Sequence, residues 1–403
     1  MKQDHEIFIG TNRLKLNESD VKGDLVRRNE DLYYKISNYD LMRPFFMSLT
    51  SDSDIWIFIS SSGGLTAGRK NADHAIFPYF TDDLVSEHHE NTGSKSIFLV
   101  HDKNNWQLWE PFSNRYAGVY QLSRNLYKNA LGNKLEFEEI NHDLGLSFSY
   151  TWSSSREFGI IKKSNITNQS SGEKKIRLLD GLINIMPAGI IQVVQQTKSN
   201  LANAYKKNEY RADSGMGLYC LSSNIIDRPE PSEALRATTV WSAGLEGSNQ
   251  LLCNRQIDRF ISGQTVEDEF NVRAEPGAYL LSSQIELEGN ATRSWYFVAD
   301  ADKSVVQIAA LEREILHSNN LVELIENGIN ESTQKLLSIV SQGDGLQISS
   351  NIPGNMRHLS NTLFNVMRGG IYSNGFIIKK DDFHDCLGSK NEPFLVKYSG
   401  IID

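Results

Sequence analysis

The segment from Ser60 to Asp83 gathers small residues, two cations, aromatic rings and carboxylates directly after the apolar run Ile55-Trp56-Ile57-Phe58-Ile59. Gly63, Gly64 and Gly68 allow a tight turn or a close backbone approach. Arg69 supplies a rigid fork that suits a carboxylate, a phosphate or sugar hydroxyls. Together with Asn71 and Asp73 it makes a candidate substrate-binding loop, because several polar contacts on one rim can orient a sugar. The glycine-lysine signature of a nucleotide phosphate loop is absent. A structural hairpin with Arg69 paired to Asp73 or Asp82 is the competing reading.

Trp106, Trp109, Phe112, Tyr116 and Tyr120 crowd a second short interval. Such rings stack on sugars or pack two sheets together, and Trp109 is the fourth candidate substrate-binding residue. His88-His89, flanked by Glu87 and Glu90, and His101-Asp102 invite a metal check. Neither a His-Glu-x-x-His nor a His-x-His pattern occurs, and an adjacent histidine pair in a charged loop reads as solvent-exposed, so no metal is expected. Asn141-His142-Asp143 reads as a turn. There is no Gly-x-Ser-x-Gly elbow, and none of the cysteines has an activating neighbourhood. Carboxylate pairs such as Asp82-Asp83 and Glu138-Glu139 become an acid and base only through their separation in space. No catalytic residue and no cofactor is assigned.

These residues must be held by a large β framework. Nine short runs rich in β-branched or aromatic residues occur between residues 40 and 300. They include Ser96 to Val100, Leu135 to Ile140, Leu146 to Trp152, Phe158 to Ile161, Lys175 to Leu179, Leu218 to Leu221, Tyr279 to Leu287 and Ser294 to Val298. That spacing implies a large antiparallel sandwich. The apolar-free stretch Asn168 to Lys174 reads as a hairpin connection. Pro187 cuts the apolar run Leu182 to Ile190, after which Gln192 to Tyr210 is a candidate helix with Leu201, Ala204 and Tyr205 on one face. Beyond Ala299 the period changes to that of helices, over Val305 to Ile315, Leu321 to Val340 and Met356 to Met367, the last stopped by Gly369-Gly370. Gly375 to Lys380 reads as a strand. The expected organisation is a β domain over residues 1–300, a helical linker over 301–345 and a short mixed α/β tail over 346–403.

Bulk properties narrow the partners. The 403 residues carry 41 Lys and Arg against 50 Asp and Glu, a formal charge of −9 without any block of five like cations, which argues against nucleic acid. No apolar run approaches the roughly 18 to 20 residues of a membrane span. Met1-Lys2-Gln3-Asp4-His5-Glu6 carries charges where an export signal would begin its apolar stretch. Three widely spaced cysteines, Cys220, Cys253 and Cys386, suit a reducing compartment. A cytoplasmic protein with no membrane partner is the expectation.

The order of features is more telling than any one of them. An apolar strand leads to Ser62-Gly63-Gly64, an arginine-containing loop follows, and Trp106-Gln107-Leu108-Trp109-Glu110-Pro111 comes next. This order resembles the N-terminal β-supersandwich domain of the cellobiose phosphorylase-like family of inverting glycoside phosphorylases, with Trp109-Glu110-Pro111 in the place of that family's Trp-x-Pro element. Phe158 to Asn168 followed by Lys174 to Gly181 is similar to the family's hairpin, and the helices from Val305 and Leu321 are similar to its linker. The resemblance implies a galactose mutarotase-like sandwich that borders an active-site entrance and contributes dimer contacts. In the family, the general acid and phosphate-binding residues lie in a helical barrel after the linker, for which the residues beyond Val340 are too few. The expectation is therefore a non-catalytic N-terminal portion of a glycoside phosphorylase-like enzyme, a type of glycosyltransferase, without activity of its own. Its partners would be an oligosaccharide, a C-terminal catalytic barrel and a second copy of itself.

A stand-alone carbohydrate-binding or interaction module is the alternative. A mutarotase-like epimerase would need a histidine base and a carboxylic acid, such as His101 or His142 with Glu110 or Glu139, and no spacing favours those pairs. Without the barrel, Leu321, Leu324, Ile325 and Ile329 would form an exposed apolar face.

Overall fold

The computed structural model describes residues 6–15, 19–28, 31–225, 232–370 and 377–402. Period-two alternation builds its centre. Leu135 and Phe137 in the strand Leu135–Asn141, and Leu146, Phe148, Tyr150 and Trp152 in Leu146–Ser155, point to one buried face, while the residues between them are partly exposed. These strands sit inside an antiparallel sheet of eleven strands. From Leu146–Ser155 it extends one way through Leu135–Asn141, Leu122–Asn129 and Asp31–Ser37 to Lys22–Arg28. The other way it passes through Gly159–Asn168, Thr292–Ser304, Arg236–Ala243, Met216–Leu221 and Lys206–Arg211 to Asn271–Arg273.

A five-stranded antiparallel sheet faces it, in the order Asn105–Trp109, Gly93–Asp102, Lys174–Ile185, Gly277–Leu287 and Asn249–Leu251. A four-stranded sheet of Phe46–Leu49, Ile55–Ser60, Leu65–Arg69 and Ala75–Phe77 adds to the same core. Phe98, Val100, Ile176 and Leu178 meet Phe148, Trp152, Trp295 and Phe297 there. Side chains of this kind each contribute roughly 1.5–3 kcal/mol on burial. The five-stranded sheet is buried on both faces, because Ile97, Leu99 and Leu280 on its reverse are covered by Phe260 and Val266. That double burial is why Ile97-Phe98-Leu99-Val100 is continuously apolar instead of alternating.

One buried ion pair joins the sheets. Lys162, from the eleven-stranded sheet, donates to Asp180 Oδ1 of the five-stranded sheet at 2.6 Å, and neither side chain is exposed. Ser96 Oγ, Ser164 Oγ and Trp295 Nε1 also donate to Asp180, at 2.6, 2.8 and 2.7 Å. Lys162 donates further to Gly181 O at 3.2 Å and lies over the rings of Tyr150 and Phe297.

Several expectations are corrected. Asn168 to Lys174 is a crossing between sheets and not a hairpin, since Gly159–Asn168 pairs with Leu146–Ser155 and Thr292–Ser304, whereas Lys174–Ile185 pairs with Gly93–Asp102 and Gly277–Leu287. The crossing is pinned by the buried Asn168, whose Nδ2 donates to Gly172 O, Leu287 O and Glu288 O. Gln192 to Tyr210 is two short helices, Gln192–Thr197 and Ser199–Tyr205, followed by the strand Lys206–Arg211. Lys198 breaks the helix, and Ala202 is the buried residue while Leu201 is exposed.

The helix Val305–His317 opens on a capping box between Ser304 and Gln307. Ile315 on it, with Ile325 and Ile329 of the helix Leu321–Gln342, packs against Phe158, Trp241 and Tyr296 on the outer face of the large sheet, with Leu321 and Leu324 partly buried beside them. The expected exposed apolar face is therefore already covered.

The chain divides into two compact units, Met1–Thr333 and Gln334–Asp403, with the boundary inside the helix Leu321–Gln342. In the second unit Leu336, Val340, Met356, Leu359 and Leu363 are buried. Met356, Leu359 and Leu363 recur at helical spacing on Ile352–Gly369. Of the strand expected at Gly375 to Lys380, Gly375 and Phe376 lie outside the described residues, Ile377 to Lys379 are not in a strand, and Lys380 begins the helix Lys380–Ile402. Asp381 and Asp382 favour a helix start there. The helix is interrupted at Asn391, two residues before Pro393. Among the described residues no helix is long and apolar enough to cross a membrane.

Candidate functional site

The Ser60 to Asp83 segment is folded more tightly than a rim loop. It holds the strand Leu65–Arg69, a short 3-10 turn Ala72–His74, the strand Ala75–Phe77 and the helix Asp82–Glu87. Gly63 has φ +98°, which the turn requires, and a Cβ on Gly64 would stand 1.7 Å from Val85 O, so Gly64 serves close packing against that helix. Arg69 is consumed within the protein. Its Nε donates to Asp300 Oδ1 at 2.5 Å, its second nitrogen to Asp54 Oδ1 at 2.8 Å, and its third to Arg156 O and Asp300 Oδ2 at 2.8 and 3.0 Å. Asp300 is buried and also paired to Lys303 at 2.5 Å. Replacing Arg69 by Ala removes one of the two cations paired with Asp300 among the described residues and is expected to cost roughly 2 kcal/mol in a denaturation experiment.

Trp109 is a core residue, 1% exposed, with its ring against Phe98 and its Nε1 donating to Glu139 Oε1 at 2.7 Å. It offers no face to a sugar. Glu139 is fully buried and accepts also from Phe112 N and Arg124 Nε, and Glu110 is paired to Lys95. His142 is bonded to Ser123, and His101 packs edge-on against Trp106. The four groups named for an epimerase are thus each engaged in separate structural contacts.

Asn71 and Asp73 lead to a different place. Asn71 Oδ1 accepts from Asp73 N at 3.1 Å and pairs with His74 Nδ1 at 2.7 Å, which fixes the 3-10 turn. Asp73 Oδ1 then accepts from Gln192 N at 2.8 Å, at the first residue of the helix Gln192–Thr197. Gln196 Nε2 on the same helix donates to Tyr79 O at 3.3 Å. These contacts fix one wall of a groove of about 570 Å³, a size that suits small-molecule ligands.

The opposite wall comes from a β-bulge. The register of Lys174–Ile185 against Gly277–Leu287 shifts between Ile183 and Ile185, and Asn184 between them has φ +58°. A bulge re-aims a side chain, and asparagine tolerates the left-handed backbone better than the apolar residues around it. Asn184 thereby lines the groove, held by an Nδ2 donation to Thr92 Oγ1 at 2.9 Å. Phe80 and His88 stack with ring centres 4.2 Å apart and 20° between planes, forming an aromatic side. Gln195, Gln196, Ser199, Asn203 and Lys206 add to the polar lining. The Oε1 of Gln195 is buried without a hydrogen-bond partner among the described residues. Lys206 is buried, and desolvation pushes its ammonium down to about 8.

His88 is therefore a half-buried wall residue, not the exposed histidine its loop composition suggested. Phe80, His88, Asn184, Gln195 and Lys206 escaped sequence reasoning. Asn184 carried a usable signal as the lone polar residue in the apolar run Leu182 to Met186. Lys206 did not, because the buried face of its strand carries Lys206 and Asn208 where an apolar pattern is expected.

No family model matches the sequence, and no curated protein matches it. Solved structures do align with it. A bacterial glucoamylase complexed with acarbose aligns over 87% of this chain and 42% of its own, at 13% identity and a TM-score of 0.45. A putative kojibiose phosphorylase from the human microbiome aligns over 83% and 41%, at 10% identity and 0.38. A putative aldose 1-epimerase from Klebsiella pneumoniae subsp. pneumoniae aligns over 74% and 92%, at 7% identity and 0.36. The chain thus spans less than half the length of the first two.

Proposed function

We propose that this chain is the sugar-recognising, non-catalytic portion of a carbohydrate-active enzyme of the glycoside phosphorylase type, and that the Phe80–Lys206 groove holds part of an oligosaccharide. The observation that carries the reading is the lining itself. A stacked aromatic pair suits the apolar face of a pyranose, while the amides of Asn184, Gln195 and Asn203 offer both donors and acceptors to hydroxyls. The sequence order around Ser62-Gly63-Gly64 and Trp109-Glu110-Pro111 supports the family assignment. Asn71 and Asp73 belong to the site as positioning residues that hold the helical wall. In this reading the partners are a helical catalytic barrel and a second copy of the chain, and the location is the cytoplasm.

Titration of the protein with gluco-oligosaccharides, followed by ligand-observed NMR, tests the groove. Phe80→Ala is expected to weaken binding about tenfold, equivalent to ~1.4 kcal/mol, with the fold intact by circular dichroism. Binding that is unaffected by Phe80→Ala would move the site elsewhere. Release of sugar phosphate from oligosaccharide and inorganic phosphate by the purified chain would overturn the non-catalytic assignment.

A further inference from the structure

We propose that the groove selects a sugar carrying an oxyanion substituent, a carboxylate or a phosphate, and that Lys206 pairs with it. This rests on the carbohydrate reading of the same groove and goes further by naming the class of sugar. Three observations lead to it. First, Lys206 is 5% exposed and lines the groove, and among the described residues no carboxylate is paired with it. Buried lysines are ordinarily paired. The adjacent Lys207 shows the usual solution, an ion pair to Glu209 at 2.8 Å. Secondly, among the described residues the groove lining contains Lys206 and His88 but no Asp or Glu, in a chain with a formal charge of −9. An anion is attracted here while the rest of the surface is on balance acidic.

Thirdly, Lys206 is held in place by its backbone. It pairs with Leu221 on one side, and its carbonyl accepts from Ala274 N at 2.9 Å on the other. The backbone of Lys206 is therefore fixed by two neighbouring chain segments, and its side chain lines the groove. Gln195 Oε1, an acceptor buried with no partner among the described residues, completes the pattern. A ligand hydroxyl donates to Gln195 while an oxyanion accepts from Lys206, so one acidic sugar satisfies both groups. A neutral sugar hydroxyl can accept from Lys206 but supplies no counter-charge.

The test compares methyl glucoside, methyl glucuronide and glucose 6-phosphate as ligands of the full chain, by titration calorimetry or NMR. At least one acidic sugar is expected to bind tenfold or more tightly than the glucoside, and the carboxylate and phosphate arms show which oxyanion is preferred. Lys206→Met is expected to abolish the preference, so that acidic and neutral sugars bind alike, while Lys206→Arg retains part of it. Should Lys206→Met not fold, Lys206→Gln and the loss of the preference at high salt in the unmodified protein give the same readout. Equal binding of neutral and acidic sugars, or a preference that survives loss of Lys206, overturns this inference and leaves the carbohydrate reading standing. Absence of binding by all three sugars overturns both.

Discussion

Replacing Asp180 by Asn is expected to destabilise the first unit by about 3 to 5 kcal/mol, because it leaves the Lys162 ammonium buried without a counter-charge. Lys162 and Asp180 are wholly inaccessible and lie on opposite sheets, so water cannot reach the orphaned cation without opening the sandwich. Asn keeps most of the shape, and it can still accept from some of Ser96, Ser164 and Trp295. The loss therefore reports the charge more than the packing. Burial already pulls the Lys162 pKa down, and Asp180 opposes that fall. The paired replacement Lys162→Met with Asp180→Leu is expected to recover most of the loss, since an apolar pair of suitable volume removes both desolvation costs. Chemical denaturation of Lys162→Met, Asp180→Leu and the double variant gives the coupling directly. If Asp180→Asn lowers stability by less than about 1 kcal/mol, the pair does not bear on the joining of the sheets.

Much of this framework was legible from pattern. Period two in Leu135–Asn141 and Leu146–Ser155, and the 3.6 period in Leu321–Gln342, each matched the element formed. Partners were not legible. Arg69 finds Asp300 across 231 residues, and nothing local distinguishes it from an arginine free to bind a ligand. Asn168 to Lys174 has the composition of a hairpin, yet three bonds from one buried asparagine amide send the chain to another sheet. The apolar helix positions were visible, but their cover, Trp241 and Tyr296 on the outer sheet face, was not. The groove was the least legible feature, because it draws residues from Pro78 to Pro276 and its polar members sit where an apolar strand face is expected. Asn71 and Asp73 stand out by residue type, but the bond from Gln192 N to Asp73 is a partner that no local pattern shows.

Lys206→Met is expected to stabilise the ligand-free protein at pH 7, and the reason fixes how the effect varies with pH. In the folded chain, desolvation lowers the ammonium from 10.5 to about 8. Below pH 8 both folded and unfolded chains hold the proton, so the folded state carries the full penalty of a buried cation. Between pH 8 and 10.5 the unfolded chain binds more protons than the folded one, and stability rises with pH across that window. The drop corresponds to about 3 kcal/mol at full protonation. Denaturant titrations at pH 7, 8, 9 and 10.5 should show the difference between Lys206→Met and the unmodified chain shrinking as pH rises, which separates Lys206 from other groups that titrate there. A constant difference would place the ammonium in solvent. On the proposed reading, the same penalty favours an anionic ligand in the groove. An anion that pairs with Lys206 relieves the cost only while the ammonium is charged, so an acidic sugar should raise the melting temperature more at pH 7 than at pH 10, and a neutral sugar should raise it equally at both.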